Sequence, residues 1–566
     1  MNKLSHRLLP ALLIAASMTA CTQAAPPTVQ QDPAPGKTVT ATTVSAVTPQ
    51  TITYDSEDED AAWEAATATL IELTGTSASG NGTGVAVTGS TVTILSPGVY
   101  VLSGTLSNGQ VIVDGQTKGT VRLVLNGAEI HSESGPAIWV KNAGKAIVTL
   151  AQGTQNKLSD GAAYAVAGAQ EDAPTAALFS KDDLTINGAG MLTVRANFKD
   201  GITSKDELVI TGGNIAVMAK DDALIGRDSV VVKQGSFAIE AGGDGIKTTN
   251  DTDPAKAFIV IDGGTFEIKA AKDGIQAISD LTINNGTIKL DAGDDALNAG
   301  NILTIAGGET TLTAGDDGLH ADASLVIKGG KTTVADSYEG VESAMMTISG
   351  GEVRISSKDD GINVAGTNPT LQIDGGYVAV NSAGDGVDVN GTIKMTDGVV
   401  VVSGPTANMN GSLDYDRSFE MTGGFLVAAG SAGMAQAPGA QSTQHAVMMN
   451  YSKTQAAGTL VSLLDSQGKP VVAFAPAKQY QTVVVSSPAL KKGETYTFYT
   501  GGTATGKLTD GLYTDGTYQG GAKVVGFTIA DIVTYMTESG PTTAPSGRGG
   551  GARQQKGGAV PAPPQR

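Results

Sequence analysis

Short runs in which apolar and polar residues alternate fill the chain from about residue 85 to residue 430, and each run is closed by Gly or Asp. Alternation with period two is the mark of a half-buried strand, and small turn-forming residues at both ends mark its limits. The segment after Asp295 is representative: Ala-Leu-Asn-Ala, a turn, Ile302-Leu303-Thr304-Ile305, Gly307-Gly308, Thr310-Thr311-Leu312-Thr313-Ala314, and a further acidic corner. The spacing predicts three short strands per unit.

The units become explicit when an acid followed by a small residue and an aliphatic is aligned. Such triplets start at Asp200, Asp222, Asp244, Asp273, Asp295, Asp317, Glu339, Asp360 and Asp385, at steps of 22, 22, 29, 22, 22, 22, 21 and 25 residues. A unit this small cannot bury its own apolar face and must stack on its neighbours. The reading is an all-β, right-handed parallel β-helix with about 22 residues per coil. The longer steps place loops at 249–254 and 365–369 outside the coil. Leucine-rich repeats would need a Leu/Asn consensus and propeller blades about 40 residues, so both are excluded.

Alternation also sorts the faces. Ile202, Leu224, Ile246, Ile275, Leu297, Leu319, Val341, Ile362 and Val387 are expected to point inward and stack. Two positions on, from Ser204 to Val389, the residues are mostly small, as a narrow interior requires. Further strands at 92–95, 100–102, 111–113, 121–125 and 146–150 are assigned to the first coils and their cap. Alternating strands resume over 446–539 and predict a small C-terminal β domain or cap. Residues 540–566, rich in Gly, Pro and Gln, read as a disordered tail. Residues 51–84 read as an N-terminal cap segment. Within it, the run Asp55-Ser56-Glu57-Asp58-Glu59-Asp60 is expected to begin a helix over 63–73 in preference to binding a metal.

At the chain start, Lys3 and Arg7 precede an apolar run and then Ser17-Met18-Thr19-Ala20-Cys21. Small residues before the sole Cys of the chain are expected to be a lipobox within a signal peptide (1–21). Lipidated Cys21 and a Pro- and Thr-rich tether (22–50) would hold the protein at the outer membrane or cell surface. With one Cys, no intramolecular disulfide can form.

The net charge of −19 argues against nucleic acid and for cations, or for anionic partners bridged by cations. Stacking brings equivalent acids to about 4.8 Å, where two unit charges repel by roughly 3.5 kcal/mol at an effective dielectric of 20. Lys199, Lys220, Lys272 and Lys358 stand beside some acids, whereas the corners at Asp294/Asp295 and Asp316/Asp317 have none adjacent. One Asp-Gly alone is only a favoured turn. Nine aligned acids, four of them doubled, favour a hard cation with oxygen ligands, and Ca²⁺ is expected. The candidate ligands are Asp200, Asp221, Asp222, Asp244, Asp273, Asp294, Asp295, Asp316, Asp317, Glu339, Asp359, Asp360 and Asp385. An outward strip of Gln276, Asn298, His320, Glu342, Asn363 and Asp388 either adds ligands and meets sugar hydroxyls or is a solvated face.

The repeated Lys-Asp-Gly-Ile and Gly-Asp-Asp-Ala/Gly-Leu corners, the strand-Gly-Gly-strand units and the segment Pro97-Gly98-Val99-Tyr100-Val101-Leu102-Ser103-Gly104-Thr105-Leu106 resemble a known family. These are carbohydrate-binding, calcium-binding parallel β-helix proteins similar to family 9 polysaccharide (pectate) lyases. The resemblance covers 85–430 and continues weakly through 487–496. It implies binding of acidic polysaccharide such as polygalacturonate with calcium held between coils; since binding without cleavage needs no base, a monomeric binder with no catalytic residue is the expectation. Two alternatives stay open: a calcium-dependent lyase with Lys247 or Lys272 as base, and a surface adhesin or scaffold in which calcium only staples coils.

Overall fold

The computed structural model describes residues 51–544, apart from residue 81, residues 166–172 and residue 254. The expected signal peptide with Cys21, the tether and residues 545–566 lie outside the described residues.

Alternation and stacking yield a parallel β-solenoid of about 14 turns spaced about 23 residues apart. One strip of short strands follows the acidic corners and forms its own 15-stranded sheet, in which Ile275–Ala277 pairs in parallel with Leu297–Ala299 and that strand with Asp317–Ala321. A second strip contains Leu281–Ile283 and Ile302–Ile305, and a third contains Thr287–Ala292 and Glu309–Thr313. Long strands such as Thr370–Ser382 and Thr392–Ser403 run through both of these strips and join them. The inward aliphatics pair in unbroken register from Ile202 to Val387. All of them are at most 3% exposed, so the ladder is the core that fixes the corners.

Glycine has two different jobs in a coil. In the Gly-Gly corners the second residue has φ of +80° at Gly308 and +76° at Gly330, a conformation that a side chain disfavours. At the acidic corner the glycine backbone is ordinary. A Cβ on Gly361 would instead lie 2.2 Å from Val380 Cγ1 and 2.6 Å from the Gly386 carbonyl. Ala223 and Ala296 fill the equivalent station and are fully buried.

The N-terminal segment departs from expectation. Only Ser56–Glu59 is helical, and Thr69–Gly75 is a strand parallel to Gly98–Leu106. The apolar positions at 69–73 pair with the first coil, which overrides their helical propensity. The acidic turn lies along the outer face of several coils. Asp58, 3% exposed, accepts from Thr185 Oγ1 at 2.6 Å and pairs with Lys145 Nζ at 2.6 Å. Its carbonyl accepts from Asn187 and Thr211. Arg122 reaches the Glu57 and Asp60 carbonyls, and Glu59 pairs with Lys233. The run starts no helix over 63–73, and its contacts make it a strap. Asp58→Ala is expected to cost about 2 kcal/mol by leaving buried donors unmet, read as faster hydrogen exchange over residues 120–211.

After the last coil the pairing turns antiparallel. Phe425–Gly430 pairs with Tyr480–Ser486, which pairs with Ala446–Gln455, so the open edge of the solenoid is covered. A six-stranded antiparallel sheet and a second core around Phe474, Phe498 and Tyr480 complete this end. Gly540–Thr542 pairs with Val533–Thr537, so ordered structure runs into the region expected to be tail. The reason is local: the backbone of 540–542 completes a hairpin despite its Gly-Pro composition.

Candidate functional site

Six inner acids of the corner column, Asp222, Asp244, Asp273, Asp295, Asp360 and Asp385, use one carboxylate oxygen to tie their coil to the next. The N–H of Asp244 donates to Asp222 Oδ1 at 2.7 Å, Asp273 to Asp244 at 3.0 Å, Asp295 to Asp273 at 3.1 Å and Asp317 to Asp295 at 2.9 Å. The pattern resumes where Asp385 donates to Asp360 at 2.6 Å and Gly411 to Asp385. These bonds satisfy corner N–H groups that the short strands leave without a ladder partner. The second oxygen of Asp222, Asp244, Asp273 and Asp295 meets the outward strip.

What that strip offers differs from coil to coil. Lys247, Gln276, Asn298, His320, Glu342, Asn363 and Asp388 are in continuous register. Lys247 Nζ sits 2.5 Å from Asp244 Oδ2 and 3.5 Å from Asp222 Oδ2. Asn298 Nδ2 donates to Asp295 Oδ2 at 2.8 Å and to Asp273 Oδ2 at 3.1 Å. His320 Nδ1 is 2.8 Å from Asp317 Oδ2, and Nε2 is 3.2 Å from Asp322 Oδ1. Asn363 donates to Glu339 at 2.8 Å. Among the described residues, the column's ion pairs thus come from Lys247 and His320. Lys358 instead pairs with Asp336.

Where the strip residue is itself an acid, carboxylates converge. Asp317, Glu339 and Glu342 bring oxygens within 4.8 Å of one another, as do Asp360, Asp385 and Asp388. Asp294, Asp295 and Asp316 do so with two exposed members, and Asp295 and Asp317 gather with His320. Asp200, Asp221, Asp222, Asp244, Asp273 and Asp359 belong to the column but to none of these four groups, and neither do Gln276, Asn298 and Asn363. Asp414 is an addition: it follows Asp388 in register. The repeat fades before it, and only its 26-residue step from Asp388 hints at its place.

Crowding is visible in the protonation equilibria. Burial, followed by the charges of Glu342 and Asp317, pushes Glu339 up to about 8. Burial and Asp360 push Asp385 up to about 7, and burial, Asp414 and Asp385 do the same to Asp388. Asp295 and Asp200 are also pushed up to about 7, and Asp273 to about 6, with burial the leading cause each time. His320, held by Asp317 and Asp322, rises to about 11 and is a fixed cation near neutrality. For Lys247 burial pulls downward, but the bond to Asp244 and the charge of Asp222 outweigh it.

Near neutral pH the Asp360/Asp385/Asp388 cluster therefore needs either protons or a cation, and Asp317/Glu339/Glu342 needs more than the single charge of His320 beside Asp317 and Glu342. Their donor set fits a hard cation: oxygen only, from three carboxylates, with spacings compatible with Ca–O bonds of about 2.3–2.6 Å.

The family described as "Carbohydrate-binding domain-containing protein" matches residues 88–340. A protein of the same description from Acetivibrio thermocellus is 42% identical over 136 residues, which are 24% of this chain and 48% of that protein. The chain thus spans about half the length of that curated relative. A solved structure described as the polysaccharide lyase-like protein from C. thermocellum, a gadolinium derivative, is similar at 34% identity with a TM-score of 0.39. That similarity covers 46% of this chain and 96% of the other.

Proposed function

We propose that the solenoid binds acidic polysaccharide, polygalacturonate being the type substrate, through calcium held by the corner column, and that it does so without cleavage. The observation that carries this reading is the convergence of Asp317/Glu339/Glu342 and Asp360/Asp385/Asp388 on one face: His320 and Asn363 offset the first cluster only in part, and the second gathers three carboxylates with no Lys, Asn or His cap among the described residues. Glu342 and Asp388 are two strand spacings apart, about 10 Å. Cations on both would present a double positive station to a polymer with regularly repeated carboxylates. The matching family's description supports carbohydrate as the partner class. Cys21 would carry the lipid that displays the protein at the membrane surface.

The lyase alternative needs a neutral base beside the cation. Lys247 is the opposite, an ammonium clamped between Asp244 and Asp222. Binding needs no base, and the same clamp is a structural asset.

Retention of the full chain on immobilised polygalacturonate is expected to require calcium, to be lost in excess chelator, and to fall at least tenfold in Glu342→Gln/Asp388→Asn. Calcium-dependent stability without retention would instead identify a scaffold. Growth of the absorbance of unsaturated uronate products, abolished by Lys247→Ala or Lys272→Ala, would identify a lyase.

A further inference from the structure

Far from the acidic corners, one outward column on the third strip changes character along the solenoid. In successive register it reads Glu309, Lys331 and Glu352, then Tyr377, Val399 and Phe425. The switch occurs where the C-terminal sheet approaches, yet the three apolar side chains are only half-buried. They pack in part against the C-terminal core, and with the strand Pro470–Phe474 and the hairpin of Lys507–Thr509 and Leu512–Thr514 they line a cleft of about 790 Å³. That volume lies within the range of small-molecule sites, about 300–1,000 Å³. Two surfaces that only served to pack together would close on one another.

The roof of the cleft is tied to the solenoid. Asp510, at the hairpin tip, accepts from Arg354 Nε through both oxygens at 3.1 and 3.2 Å, and Arg354 lies over the Tyr377 ring at 5.5 Å. Tyr377 Oη donates to the Thr509 carbonyl at 3.4 Å. The hairpin is therefore pinned to the solenoid at its far end.

We propose that this cleft is a second ligand site, independent of the corner column, and that its ligand is a neutral oligosaccharide. The floor and wall supply rings, Tyr377, Phe425 and Tyr513, on which the C–H face of a pyranose can stack. Thr505, Thr509, Thr514 and Thr517 place hydroxyl-bearing residues around them. An acyl chain would bury these polar groups without partners, which is unfavourable. The charged lining residues balance, Lys469 and Lys507 against Glu352 and Asp515, in a chain whose net charge is −19. A uronate polymer has no net positive field to enter there, whereas a neutral sugar needs none.

Calorimetric titration of the full chain with cellohexaose and with mannohexaose, in chelator, tests the proposal. Saturable binding of at least one probe is expected, weakened tenfold or more by Tyr513→Ala and retained by Tyr513→Phe. Val399→Lys, which intrudes from the solenoid side, should weaken it similarly, with unchanged circular dichroism and melting temperature establishing that each variant folds. Polygalacturonate retention in calcium should be unaffected by these changes, which separates this site from the column. Lack of saturable binding of both probes at millimolar concentration, binding that appears only with calcium, or equal binding by Tyr513→Ala and Val399→Lys would overturn it.

Discussion

Protein stripped of divalent cations is expected to lose thermal stability as the pH is raised from about 5 to about 8, and calcium is expected to restore it most strongly at the upper end. Glu339, Asp385 and Asp388 titrate at about 8, 7 and 7 in the fold, whereas an unfolded carboxylate titrates near 4. Between those limits the folded state binds more protons than the unfolded one, so stability falls with rising pH. Below about pH 5 both states are increasingly protonated and the loss disappears. A cation that replaces those protons reverses the trend. Each site held at a hundredfold its Kd contributes about 2.7 kcal/mol, and two sites should raise the melting temperature by roughly 5 °C or more. Glu342→Gln/Asp388→Asn should flatten both the pH dependence and the calcium response. A melting temperature that rises from pH 5 to 8 in chelator, or that ignores calcium at pH 8, would remove the metal from the account.

Gly361→Val should be the most damaging single substitution in the column. The new side chain would meet the Val380 methyl group and the Gly386 carbonyl, and the second is backbone of the next coil, which cannot move alone. Overpacking of this kind costs about 1–3 kcal/mol, and the rigid obstacle places it at the upper end. Asp360 would be displaced with its neighbour, so calcium binding at Asp360/Asp385/Asp388 should be lost too. Because coils interact mainly with adjacent coils, limited proteolysis should cut first around residues 340–390. Ala296→Gly at the same station one unit type away should cost only about 1 kcal/mol. Equal resistance of Gly361→Val and the parent chain to protease and heat would contradict this account of the corner glycines.

Much of the site was legible before any coordinates because the repeat is an alignment of the chain with itself. Ile202 through Val387 could be placed inward, and the acids beside them in a column, from spacing alone. Three features were not legible. The Asp-Gly corner suggested a turn glycine, but Gly361 is there because a Cβ collides with another strip. The run from Asp55 to Asp60 suggested a helix start, but its partners lie as far away in sequence as Thr211 and Lys233. Asp414 lies beyond the regular repeat and joins the column only through register with Asp388.

The amino-acid order by itself determined the coil length, the inward ladder and the line of acids, since period and alternation are local properties of a chain that must stack on itself. Tertiary structure alone decided which acids are tied up and which converge. One oxygen of six inner acids, from Asp222 to Asp385, is consumed by the N–H of the neighbouring coil, and the balance of charge around the column depends on a strip residue brought alongside by packing. Lys247, Asn298 and His320 neutralise or cap their neighbours, while Glu342 and Asp388 add charge, and that difference exists only once the coils are in register.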